Sequence, residues 1–168
     1  MRPLLIAAGS LVVVTAVAVS ACATSGTLVG GELGRSMAAA GIAGDVGPAT
    51  GYVLRFSNGL VAYLSGDTGI LADQKLVIHD YYHAKLVVMN MGDGFTTGPA
   101  EAAYVINQLV QPASVIPSHA NEVGTVDGKV RPGSKTEAFI KAVSVPVHVP
   151  LSGKTMSYDA AGVCTAGC

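Results

Sequence analysis

Histidine is scarce and late in this chain of 168 residues: there are four, and none precedes His79. That absence excludes an imidazole cluster from the N-terminal part, so any metal site must draw its donors from the middle of the chain or beyond. Basic residues are also few and unclustered, with Lys plus Arg 10 against Asp plus Glu 11. Duplex recognition relies on concentrated positive charge, and nucleic acid is therefore not an expected partner. Cysteine is limited to three positions, Cys22, Cys164 and Cys168.

What the chain does have at its start is a single positive charge, Arg2, followed by a largely apolar run from Leu4 to Ala21. This pattern fits a secretory signal, and its length also leaves a retained membrane anchor open. The run ends in Val19-Ser20-Ala21-Cys22, which is similar to a bacterial lipobox, in which the cysteine becomes the lipidated first residue. Lipid anchoring at Cys22, cleaved export and a retained anchor are the three alternatives. Each places the rest of the chain outside the cytoplasm, in the cell envelope or beyond, with a membrane contact through the N-terminus where an anchor is kept. With Cys22 lipidated, Cys164 and Cys168 remain as a Cys-x-x-x-Cys pair, for which a small-loop disulfide is expected and a metal site is the alternative.

Three segments follow: residues 1–22 as signal, lipobox or anchor; 23–50 as a Gly-, Ala- and Ser-rich tether; and 51–168 as one domain. Tyr52 to Phe56 and Leu60 to Leu64 are rich in strand formers, and Ser57-Asn58-Gly59 between them marks a hairpin turn. A helix is expected from Ile70 to His83 and a buried parallel strand from Leu86 to Met91. Pro99 starts a further helix that runs to Val110 and is stopped by Pro112. Ser114 to Ile116 reads as a strand that delivers His119. Beyond it come a turn-rich loop over Gly124 to Gly133, a helix over Lys135 to Val143, an edge strand over Val145 to Val149 and a closing hairpin within Thr155 to Val163. Strand, helix, strand, helix, strand predicts a layered α/β domain. Its crevice would lie at the carboxyl ends of the parallel strands, where Asp67, Asp93 and His119 all fall.

Two segments carry the chemistry: Tyr63-Leu64-Ser65-Gly66-Asp67-Thr68-Gly69 and Val115-Ile116-Pro117-Ser118-His119. A carboxylate and an imidazole, each set just beyond an apolar strand, are suitable donors for a divalent metal. Together with the loop from Gly92 to Pro99 and the helix containing Glu101, Ala102 and Ala103, these segments resemble the C-terminal half of a metallo-β-lactamase-fold metal-dependent hydrolase. The nearest branch is the one that includes L-ascorbate-6-phosphate lactonase, and the resemblance covers roughly residues 51 to 120. It implies half of a four-layer αββα sandwich, with a mixed sheet and outer helices. It also implies Asp67 as a bridging metal ligand and His119 as the last histidine ligand. The implied cofactor is a divalent metal, zinc or else manganese or iron, that activates water against a lactone, ester or phosphoester of a small-molecule substrate. The family's His-x-His-x-Asp-His cluster does not occur in this sequence.

Each of these residues also has a plainer role open to it. Asp67 could hold its Gly-rich turn through its side chain, and His119 could be a surface loop residue. Asp93 could orient His119 from behind or serve only its own turn. His79 and His83, four apart, are expected to face solvent, as is His148 between its prolines. No catalytic residue beyond the ligands can be assigned. Three functions follow: a hydrolase whose missing ligands come from another chain or from an incomplete gene, an inactive envelope lipoprotein with a binding or assembly role, or a nonfunctional fragment. A sheet with one face of a sandwich missing predicts a homodimer, or a partner that supplies the other half.

Overall fold

The computed structural model describes residues 15–20, 49–94 and 96–168; Cys22, residues 1–14 and nearly all of the 23–50 tether lie outside them. Five strands make the main sheet: β1 (Thr15–Ser20), β2 (Thr50–Arg55), β3 (Val61–Leu64), β4 (Leu86–Asn90) and β5 (Ser114–Ser118), in that spatial order. β2 runs antiparallel to both of its neighbours, β1 and β3, whereas β3, β4 and β5 are parallel. β1 falls inside the stretch that sequence reads as a leader or anchor, and its backbone pairs from Thr15 with Arg55 through Ser20 with Thr50. The β2–β3 turn is built as expected: Gly59 takes φ +93°, and the Asn58 carboxamide oxygen accepts the Leu60 N–H at 3.0 Å.

Alternation along the strands divides the sheet into two faces. Val53, Tyr63, Val87, Met89 and Val115 point to one side and are buried with Ile78, Ala102, Ala103, Val105, Ile106, Val110 and Phe139 from the helices. Each such aliphatic or aromatic side chain contributes about 1.5–3 kcal/mol when withdrawn from water, so this layer holds the fold together. Leu60, Ala62 and Leu86 occupy the other side, with Phe56, Leu64, Ile116 and Tyr158 against them.

The helices are shorter and wider than the sequence suggests. In place of a helix from Ile70 to His83 there is α1 (Gln74–His79), a π-type turn whose i to i−5 bonds continue as Asp80 N–H to Lys75 O (3.0 Å) and Tyr82 N–H to Val77 O (2.9 Å). The buried Gln74 side chain organises the loop before it, accepting the Leu71 N–H and donating to the Gly69 carbonyl, each at 3.0 Å. The helix from Pro99 to Val110 is present as α2 (Pro99–Tyr104) running into the π-type α3 (Val105–Val110), and Gln111 ends it with φ 49° just before Pro112. α4 (Lys135–Ala142) is capped by Ser134, whose side chain accepts the Glu137 N–H at 3.1 Å.

The expected strand over Val145–Val149 is reduced to a single bridge from Val147 to Val115, because Pro146 and Pro150 have no N–H to extend a ladder. A small hairpin, β6 (Thr125–Val126) with β7 (Lys129–Val130), occupies the turn-rich loop. A second, β8 (Ser157–Tyr158) with β9 (Cys164–Ala166), closes the chain, and Cys164 is joined to Cys168 with their Cα atoms 6.4 Å apart. No described helix is long and apolar enough to cross a membrane.

Candidate metal centre

Because β3, β4 and β5 are parallel, their C-terminal loops leave the same edge of the sheet. The loop after β3 carries Asp67 and the loop after β5 carries His119. The two meet there, with His119 Nδ1 2.9 Å from Asp67 Oδ1. At this distance the two groups are in direct hydrogen-bonding contact, and a cation bound by both at about 2.1 Å would hold them roughly 3.0–3.4 Å apart, a separation reached by a shift of a few tenths of an ångström. Asp67 is 69% exposed and His119 35%, which leaves the approach to both open.

Asn90, a buried residue at the end of β4, fixes the Asp67 loop from behind. Its carboxamide donates to the carbonyls of Gly66 (2.7 Å) and Thr68 (2.9 Å) and to Ser65 Oγ (3.1 Å), while its own N–H donates to Ser65 Oγ at 2.9 Å. On its other side Asn90 Oδ1 accepts the Thr97 N–H at 3.1 Å, and the Thr97 hydroxyl lies against both Asn90 oxygens. One amide thus ties the loop after β3 to the loop after β4. Sequence reasoning missed Asn90; the only signal was a polar residue closing an otherwise apolar strand.

The His119 loop is fixed by close backbone approach. A Cβ on Gly92 would lie 1.9 Å from the His119 carbonyl oxygen, so only glycine fits there. His119, Asp93 and Asn121 all take left-handed backbone, with φ 47°, 62° and 53°. Lys135 Nζ donates to the Gly92 carbonyl, and the Asn121 side chain reaches Asp93 O at 3.5 Å. The Asp93 carboxylate itself accepts the N–H of Gly94 at 2.8 Å. The structure therefore gives Asp93 to its own turn, and the carboxylate beside the His119 ring is Asp67. Glu101 sits at the same rim but caps α2, accepting the Gly98 N–H at 2.7 Å.

Of the remaining histidines, His83 is exposed as expected, whereas His79 and His148 are not. His79 is half-buried, with Nδ1 2.7 Å from the Val110 carbonyl, because the wide turn of α1 aims it at the end of α3. His148 is also half-buried and lies edge-on to Tyr158, with ring centres 5.8 Å apart. His83 is exposed with φ 55°. None of these three is paired with Asp67 or His119.

Known proteins are similar to this chain in sequence and in fold. A UPF0173 metal-dependent hydrolase of Roseiflexus sp. (strain RS-1) is 42% identical over 79 residues, 47% of this chain and 32% of that protein. A second, from Koribacter versatilis, is 35% identical over 111 residues, 66% of this chain and 45% of that protein. The chain is similar to one part of the UPF0173 metal-dependent hydrolases. It spans less than half the length of the relatives it matches. Its fold is shared with isothiocyanate hydrolase from Delia radicum gut bacteria, at TM-score 0.57 and 18% identity over 88% of this chain and 55% of that one. No family model matches the chain. A mixed sheet with helices on one face is one half of the αββα sandwich, as the resemblance implied.

Proposed function

We propose that this chain supplies Asp67 and His119 to the metal centre of a hydrolase in which a divalent cation activates water against a lactone, ester or phosphoester. The observation that carries this reading is the 2.9 Å approach of the two side chains at the shared edge of three parallel strands. Carboxylate and neutral imidazole suit zinc, and also manganese or iron, and the cation would supply a water of lowered pKa and a Lewis acid for the scissile group. Within this chain, Asn90 and Gly92 hold the two donors in register, and the Asp67 carboxylate and the His119 ring stay in direct contact whenever no cation is bound between them.

Two donors are fewer than a catalytic zinc takes from protein. The described residues offer no third His, Cys, Asp or Glu close to this pair. Further donors belong to a second chain in this proposal. Binding of zinc or manganese to the isolated chain is accordingly expected to be weak and to fall by about tenfold or more in Asp67→Ala or His119→Ala, as removal of a contributing group normally causes. Isothermal calorimetry on the full chain, with the cysteines held as the disulfide, measures this. Tight binding that survives the double substitution would exclude these residues as the metal centre.

A further inference from the structure

The C-terminal hairpin carries metal-binding chemistry that the Asp67–His119 pair does not use. β9 brings Cys164 next to the segment that ends on His148, and the ligand atoms of His148, Cys164 and Cys168 all lie within 4.8 Å of one another. The three line a cleft of about 160 Å³ together with Ser114, Pro146 and Val163.

Both arms of this cluster are tied to β5. On one arm, His148 N–H donates to Val115 O at 2.9 Å and Val115 N–H to Pro146 O at 3.0 Å. On the other, Ser114 Oγ donates to Gly162 O at 2.6 Å, and the Asp159 carboxylate accepts the N–H groups of Ala161 and Val163, each at 2.9 Å. Gly162 is wedged against the Lys85 carbonyl, where a Cβ would lie 2.5 Å away. Tyr158 stands at the edge of the His148 ring and limits its rotation. Histidine and cysteines are therefore delivered to one place by a braced frame.

We propose that, once reduced, Cys164 and Cys168 join His148 in binding one thiophilic d10 cation of the Zn2+ type, and that the disulfide is the closed form of this site. Two thiolates and an imidazole are the donors zinc prefers. Around a tetrahedral zinc at about 2.3 Å from sulfur and 2.0 Å from nitrogen, neighbouring donors stand roughly 3.5–3.8 Å apart, so the present cluster needs shifts on the order of 1 Å. Three protein donors would leave a fourth position to water from the cleft. Opening the site requires a dithiol reductant: two electrons and two protons pass to the disulfide, its S–S bond breaks to give two thiols, and the reductant becomes a disulfide in turn. Metal binding then displaces the two thiol protons.

The test uses the full chain, reduced with a dithiol and freed of it anaerobically, with Co2+ as a spectroscopic stand-in for Zn2+. The expected result is a thiolate-to-cobalt charge-transfer absorption that saturates at one equivalent, is displaced by Zn2+ and persists in Asp67→Ala/His119→Ala. It should vanish in Cys164→Ser and in the oxidised chain, and His148→Ala should weaken Co2+ binding by about tenfold or more. Absence of the band in the reduced chain, or undiminished affinity in His148→Ala, would overturn the proposal. If His148→Ala does not melt cooperatively, His148→Asn takes its place and is read the same way.

Discussion

At the scale of single residues, Asn90 is the one whose loss should be felt most widely. It satisfies two carbonyls, a hydroxyl and an N–H in two loops, all but the Gly66 carbonyl out of water. Asn90→Ala takes the side-chain partner from the buried Thr68 carbonyl and Thr97 N–H, and each buried orphan costs about 1–3 kcal/mol. We expect a loss of about 3 kcal/mol in denaturant-induced unfolding of the full chain. A loss under about 1 kcal/mol would mean that water replaces the amide and that the loops are held by other contacts. That Asp67 and His119 share one edge of the sheet could be read from the sequence because each follows shortly after a recognisable strand. Asn90 could not, since an amide at the end of an apolar run gives no sign of which distant groups it will reach. His148 was misplaced for a related reason: flanking prolines predict an exposed strand, but the partners that half-bury it come from the last residues of the chain.

Among the elements, α4 shows how a helix far from the ligands supports them. Ser134 caps it, Glu137 accepts the Gly133 N–H at 2.8 Å, and the first helical residue, Lys135, reaches the Gly92 carbonyl beside His119. The bond from Lys141, aided by the Gly133 N–H, holds the Glu137 carboxyl below its ordinary value of 4.5. A carboxylate with a lowered folded-state pKa stabilises the fold fully above its unfolded pKa, and the contribution is lost as pH falls through the folded value. The melting temperature should therefore decline on acidification below about pH 4.5 less steeply in Glu137→Gln than in the parent chain. Parallel pH–melting curves for the two proteins would show that Glu137 contributes nothing to this dependence. The sequence located α4 to within a residue because cap, charge pattern and apolar spacing agree. It overextended α1, where the Gln74 side chain replaces backbone bonds of the helix that hydropathy alone predicted.

At the scale of the molecule, the sheet face away from the helices is covered unevenly. The row Leu54, Ala62, Leu86 and Ser114 is almost entirely buried, in part by Tyr158 from the closing hairpin. The next row toward the metal edge, Tyr52, Leu64, Val88 and Ile116, stays partly open, with Tyr52 45% exposed. The sequence argument expected the whole inner face to be bare; it overlooked how far the C-terminal hairpin reaches. What remains is an apolar strip beside the site that we expect a second copy of the chain to cover about a twofold axis, bringing further carboxylate and imidazole groups to the same edge. Sedimentation velocity on the full chain in mild detergent should show a dimer that Leu64→Glu disperses. A monomer at every concentration would leave the strip to a different partner.

The left-handed backbone at His119 sets stability and chemistry against each other. At φ 47° a glycine or asparagine is at ease, whereas histidine carries a conformational penalty of about 1 kcal/mol. With 35% of its side chain in solvent and no place in the apolar core, the imidazole returns little of that penalty through packing. A chain optimised for endurance alone would put glycine here. On the proposed reading, what the position gains in exchange for that penalty is an imidazole facing a carboxylate across an open rim, a trade that His83 and Gln111, left-handed too, do not make.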